Sequence, residues 1–278
     1  RDDRRDSCAV ITIRDALLRA RRRPRHFGAG SPTIFRGDGY EFVELRGYVP
    51  GDDVRRIDWA STARSGELQT RVVLEDVTLT LAAILDASPS MQVGRKRPLL
   101  TAAREALAEW FAAATSEDRC IRVAGGSITP AALQRGSRRA VALRDDAAEF
   151  DLTRTMRTAY AALPRGTALL AISDWYDLDA ALDRELAGLG ARFDCTALIA
   201  RDPWYEQLPL AGIVRVRGAE GGAARGYIGA RERAAYHAAV RAREASLLRR
   251  FEAANWRTGI LREEEGAASL AAAFGLRS

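Results

Sequence analysis

The sequence predicts an α/β fold, a mostly parallel sheet with helices on both faces, preceded by a small β-rich N-terminal portion. Three observations carry this. From Val77 onward, short apolar runs alternate with segments of helical periodicity, the pattern of strands joined by crossover helices. Two of those runs, VTLTLAAIL (77–85) and TALLAIS (167–173), are nearly continuous, as strands covered on both faces require, and each stops at an aspartate. Residues 28–76 instead show loose alternation and turn signals with no long helical pattern. The expected organisation is a basic helix in 1–27, the β-rich portion in 28–76 and the α/β domain in 77–278.

In chain order, 9–23 reads as an amphipathic helix ending in an arginine cluster, and 26–39, rich in Gly, Pro and Ser, as a loop. YEFVELRGYV and LQTRVVLE have strand character, separated by turns at Pro50-Gly51-Asp52-Asp53 and Ser65-Gly66. Residues 97–115 carry Leu100, Ala103, Leu107, Trp110 and Phe111 at helical spacing, and 119–125 a second strand. SITPAAL and RRAVAL suggest a hairpin with each other. Residues 153–163 form a helix stopped by Pro164, 178–190 a helix stopped by glycine, and 191–200 and 212–216 strands. A long Arg/Ala-rich helix over 230–254, a short strand in 256–261 and a helix in 267–275 close the chain.

Composition excludes several classes. No run of about 18 apolar residues exists in the chain, so no transmembrane helix is expected, and no signal-peptide pattern opens it. The three cysteines, Cys8, Cys120 and Cys195, are scattered and only two histidines are present, which argues against a disulfide framework and a Cys/His zinc site. Reduced thiols fit the cytoplasm. The net charge of +6 and pI of about 9.6 favour an acidic partner. Nucleic acid is a minor alternative, because no interleaving of basic and aromatic residues along the chain stands out.

In open α/β sheets ligands bind at the carboxyl ends of the strands. After 77–85 comes Asp86-Ala87-Ser88-Pro89-Ser90. After 167–173 comes Asp174. Alternation would aim Asp86, Ser88 and Ser90 in one direction, giving an all-oxygen set suited to a hard cation. The competing reading is that such residues merely cap turns and helices. A strand-ending aspartate can also be a phosphoryl nucleophile, which makes an Mg²⁺-dependent hydrolase or phosphatase using Asp86 the enzymatic alternative. Haloacid-dehalogenase phosphatases, however, place a second aspartate where Ser88 stands. No P-loop and no dinucleotide fingerprint is present.

The Asp86-x-Ser88-x-Ser90 strand end resembles the metal-ion-dependent adhesion site of von Willebrand factor A domains. Gly39-Tyr40-Glu41-Phe42, Leu45-Arg46, Tyr48, Pro50-Gly51-Asp52-Asp53, Arg55-Arg56-Ile57-Asp58-Trp59 and Ala63-Arg64 resemble the signature of domain-of-unknown-function family 58. Ile172-Ser173-Asp174 and the Asp202-Pro203…Leu208-Pro209 loop extend the likeness over roughly residues 27–261. The resemblance implies a von Willebrand A-like domain linked with MoxR-type AAA+ ATPases in chaperone-like assemblies; the function expected here is a non-enzymatic interaction module that partners such an ATPase. It implies an Mg²⁺ site (or Mn²⁺ or Ca²⁺) at Asp86, Ser88, Ser90 and Asp174. Asp151, Thr153 or Thr155 would complete it, although Phe150 stands where the family pattern expects threonine and Asp151 is placed to cap a helix. Partner contacts are expected at Glu41, Arg46, Asp52, Asp53, Arg55, Asp58, Trp59 and Arg64. Two like charges, Asp86 and Asp174, at one edge should raise at least one carboxyl pKa.

Overall fold

The computed structural model describes residues 12–22, 40–49, 54–75, 78–131, 150–219 and 221–276. The chain divides into two compact units, the described residues of 24–78 forming one and those of 1–23 and 79–278 the other. Helix α1 (Ile13–Arg22) belongs to the larger unit. Ile13 and Leu17, one turn apart, are buried, and Arg14 pairs with the fully buried carboxylate of Asp118. Asp118 also accepts from the backbone of Leu79 (2.6 Å) and from the backbone and hydroxyl of Thr115 (2.7 and 2.9 Å), so it ties the helix to the start of the sheet.

In the smaller unit β1 (Tyr40–Gly47) pairs antiparallel with β2 (Gln69–Glu75), with a bulge between Phe42 and Glu44. Between them lies α2 (Trp59–Ser65), a helix the sequence did not suggest. Its ends explain it. The Asp58 carboxylate accepts from Ser61 N (2.9 Å) as N-cap, and Gly66 takes the left-handed conformation (φ 75°) at the C-cap. The Ser65-Gly66 turn of the sequence is therefore this helix stop.

The larger unit continues with β3 (Thr80–Leu85), α3 (Leu99–Ala112), β4 (Arg119–Ala124), β5 (Ser127–Pro130), α4 (Leu152–Ala162), β6 (Ala168–Ser173), α5 (Asp183–Arg192), β7 (Asp194–Ala200), β8 (Gly212–Arg217), β9 (Ala223–Ile228), α6 (Ala230–Ala253), β10 (Arg257–Leu261) and α7 (Gly266–Ala273). Six strands form one sheet in the order β10-β7-β6-β3-β4-β5, parallel except for β5. The two nearly continuous apolar runs are the central strands β3 and β6, and every residue of β6 is buried.

Alternation sorts the sheet residues to two covered faces. Ala82, Ile84, Leu169, Ala171, Ala197 and Ile199 pack in one cluster with Met156 of α4, Leu186 of α5 and Phe251 of α6. Their neighbours Leu81, Ala83, Leu170, Ile172 and Leu198 are equally buried on the opposite face. There α7 closes on the sheet over Gly259, where a Cβ would lie 2.6 Å from Ala273 Cβ and 2.8 Å from Leu198 Cδ2. The expected mixed α/β architecture with a mostly parallel sheet is thus the observed one.

β5 (within SITPAAL) pairs back onto β4 through Gly125-Gly126, where Gly125 has φ 53°; RRAVAL, its expected hairpin partner, lies outside the described residues. The strand at 212–216 does not join the main sheet. It forms a separate two-stranded ribbon with β9, a strand with too many Gly and Ala residues to announce itself.

Candidate metal and partner site

The sheet order places the site. The connection after β3 leads to β4 on one side, and that after β6 leads to β7 on the other, so the winding reverses between β3 and β6. Loops diverge at such a point and leave a crevice at the carboxyl ends of the strands. Asp86 follows β3 and Asp174 follows β6. The ladder runs one bond past β3, with Asp86 N donating to Ile172 O of β6 at 2.9 Å.

Asp86 is 3% exposed. Its Oδ1 accepts from Ser88 N at 2.8 Å and its Oδ2 from the Ser173 hydroxyl at 2.6 Å. The Ser88 and Ser90 hydroxyl oxygens are 2.9 Å apart. Convergence does not come from strand alternation, as the spacing suggested. An Asx-type turn at Asp86 is followed by a 3-10 turn over Pro89–Gln92, and that curl brings the two serines together. Burial is the main force raising the Asp86 pKa above the usual carboxylate value. The hydrogen bonds from Ser173 and Ser88 oppose it, and the charge of Asp174 adds a smaller rise. Repulsion by Asp174, the cause anticipated from sequence, is therefore the lesser one.

Asp174 is 8% exposed and accepts from Tyr176 N at 3.0 Å. Trp175 between them has φ 61°, a conformation a bulky side chain avoids at a cost of about 1–3 kcal/mol. Its buried indole offsets that, packed edge-on against Phe251 at 4.8 Å and donating to Leu198 O at 3.3 Å. This anchor turns the chain so that Asp174 stays at the crevice while Tyr176 emerges onto the rim. Arg243 of α6 donates to Asp174 O (2.6 Å) and lies 3.8 Å over the Tyr176 ring. Sequence reasoning assigned no site role to Ser173 or Arg243. Ser173 was legible as the residue before a strand-ending aspartate, but Arg243 is 69 positions away and carried no local signal.

The middle-loop residues have helix-terminal work. Asp151 is the N-cap of α4 and accepts from Arg154 N at 2.9 Å, while Thr155 donates back to Asp151 O at 2.6 Å. Thr153 is the second residue of the helix. Of the residues named for partner contact, Asp52 and Asp53 lie outside the described residues. Glu41 and Arg46 lie on β1, Arg55 is exposed on a 3-10 turn, and Trp59 opens α2 with 67% exposure. Arg64 donates to the Ser61 hydroxyl at 3.2 Å, and Asp58 is the buried cap described above.

Among the described residues no group of three or more His, Cys, Asp or Glu gathers at a potential metal position. Any cation here would rest on two carboxylates with hydroxyls, a donor set for hard ions. The two serine oxygens are 2.9 Å apart, a hydrogen-bond separation; by donor chemistry alone this oxygen-only set is of the kind that hard divalent ions take.

These features define an α/β protein with a hydroxyl-and-carboxylate crevice at the reversal of its parallel sheet. The family model described as "Protein of unknown function DUF58" matches residues 44–246, most of the chain, and the chain belongs to that family. It is 43% identical over 75 residues to Uncharacterized protein Rv1480 of Mycobacterium tuberculosis and to Uncharacterized protein Mb1516 of Mycobacterium bovis. Those matches cover 26% of this chain and 24% of each relative, so the similarity spans about a quarter of the curated relatives' length. No solved structure matches the chain. No helix among the described residues is long and apolar enough to cross a membrane.

Proposed function

We propose that this chain is a non-enzymatic protein-interaction module, a von Willebrand A-like domain whose adhesion-type metal site captures an acidic residue of a partner, the partner being a MoxR-type AAA+ ATPase. One observation carries the reading: Asp86, Ser88 and Ser90 converge beside Asp174 at the carboxyl edge of the two central strands, where the sheet reverses. Ser88, Ser90 and Asp86 would hold Mg²⁺, Mn²⁺ or Ca²⁺, with Asp174 directly or through water. When bound, the ion supplies an open position for a carboxylate from outside the chain. The chain's own part is to hold the site rigid and dry. Ser173 and Ser88 N fix the Asp86 carboxylate, and the Trp175 anchor fixes Asp174. The ATPase partner rests on the resemblance of the 39–64 motifs and the strand-end residues to the family signature. A pull-down of the MoxR-type ATPase from the native host tests both parts. Capture should be lost in chelator and in Asp86→Ala, whereas capture indifferent to both would refute the metal-mediated reading.

A further inference from the structure

The β8–β9 ribbon presents a second surface, independent of the crevice. Cross-strand partners share a face, and so do residues two apart along a strand. Ile213 is opposite Tyr227, Arg215 opposite Arg225, and Arg217 opposite Ala223. One face therefore carries three arginines beside an aliphatic–aromatic pair, and all five side chains are exposed, Ile213 by 71% and Tyr227 by 68%. No salt bridge or hydrogen bond holds any of the three guanidinium groups among the described residues. Like charges set directly opposite each other destabilise a ladder. Here Arg215 faces Arg225 with no counter-ion among the described residues, in a chain that is already +6. Among the described residues the ribbon is two-stranded and its outer edges have no strand partner.

We propose that this ribbon face docks an acidic, extended segment of a partner protein. Carboxylates would pair with Arg215, Arg217 and Arg225, which bind planar oxyanions in a bidentate fashion. An apolar residue of the segment would cover Ile213 and Tyr227, and the free ribbon edge offers main-chain pairing to an extended chain. Arginine and tyrosine around an aliphatic residue is the composition of a protein interface core. A single-stranded nucleic acid platform would instead repeat aromatic rings, and this face has one. A membrane-inserting ribbon would carry its apolar residues at the tip, whereas Ile213 and Tyr227 sit at the ribbon base and Arg217 nearest the turn.

The test uses the full chain and a fluorescein-labelled peptide of alternating Glu and Leu, read by anisotropy in chelator. Binding should weaken at least tenfold in Arg215→Ala/Arg225→Ala and in Ile213→Ser/Tyr227→Ser, with unchanged melting temperatures. It should also be absent for a Gln–Leu peptide. In Arg215→Glu/Arg225→Glu a Lys–Leu peptide should bind where it does not bind wild type, a gain that misfolding cannot mimic. Asp86→Ala should bind the Glu–Leu peptide normally, so loss of the metal site and loss of this surface are separable. Equal binding by wild type and the double variants, or no binding by wild type, overturns the proposal. Tighter, ribbon-dependent binding of an oligothymidylate than of the peptide overturns it in favour of nucleic acid.

Discussion

Replacing Asp86 by Asn separates a cation-holding carboxylate from a structural cap. Asn is nearly isosteric. Its carbonyl oxygen can keep the bond from Ser88 N, and its amide can donate to the Ser173 oxygen, which already accepts from Trp175 N at 2.9 Å and has a second lone pair. The charge is lost from a site that is 3% exposed, where burial disfavours it, and so is the repulsion from Asp174. In chelator the two effects, a weakened charge-assisted bond of about 1.5–3 kcal/mol and a relieved desolvation of similar size, nearly cancel. The variant should therefore melt within a few degrees of wild type. Mg²⁺ distinguishes them. At a concentration 100 times Kd, a ligand bound only to the folded state adds about 2.7 kcal/mol. For a unit of this size that is a rise of roughly 5–10 °C. Differential scanning fluorimetry with and without Mg²⁺ should show this rise in wild type and none in Asp86→Asn. An equal rise in both, or none in wild type, would refute the reasoning. A variant strongly destabilised in chelator would mark Asp86 as a cap.

The raised Asp86 pKa gives a pH test with a defined sign. A carboxyl with a higher pKa folded than unfolded makes the folded state the better proton binder, so its contribution is full below the unfolded value of ~3.9 and is lost as pH rises through the folded value. In chelator, the stability of wild type minus that of Asp86→Asn should fall with rising pH above ~4, measured by urea unfolding across a pH series; a flat or rising difference would contradict it. Asp118→Ala leaves the Leu79 and Thr115 backbone N–H groups and the Arg14 guanidinium without their acceptor, and should cost about 1–3 kcal/mol by the same unfolding assay. Arg14→Ala should cost clearly less, because the Asp118 carboxylate keeps its bonds from Leu79 N and Thr115.

The sequence by itself determined the architecture of the larger unit. Continuous apolar strands such as β6 must be covered on both faces, and helical periodicity between them supplies the cover, so a parallel sheet followed from pattern alone. It also marked Asp86 and Asp174, because polar residues that end buried strands are conspicuous. What it could not fix were pairings between distant segments. Alternation along 86–90 suggested an extended array, and only the 3-10 turn explains why two serines touch. Ser173 became a partner of Asp86 because β3 and β6 are neighbours in the sheet, a fact of strand order rather than of spacing. Arg243 reached Asp174 from a helix 69 residues on, and the arginine–tyrosine face of the ribbon arose across two strands, invisible along either one. Local periodicity reports which face of an element is buried, whereas contacts between elements depend on the order in which the sheet assembles, and that order is set by the packing energy of the whole chain.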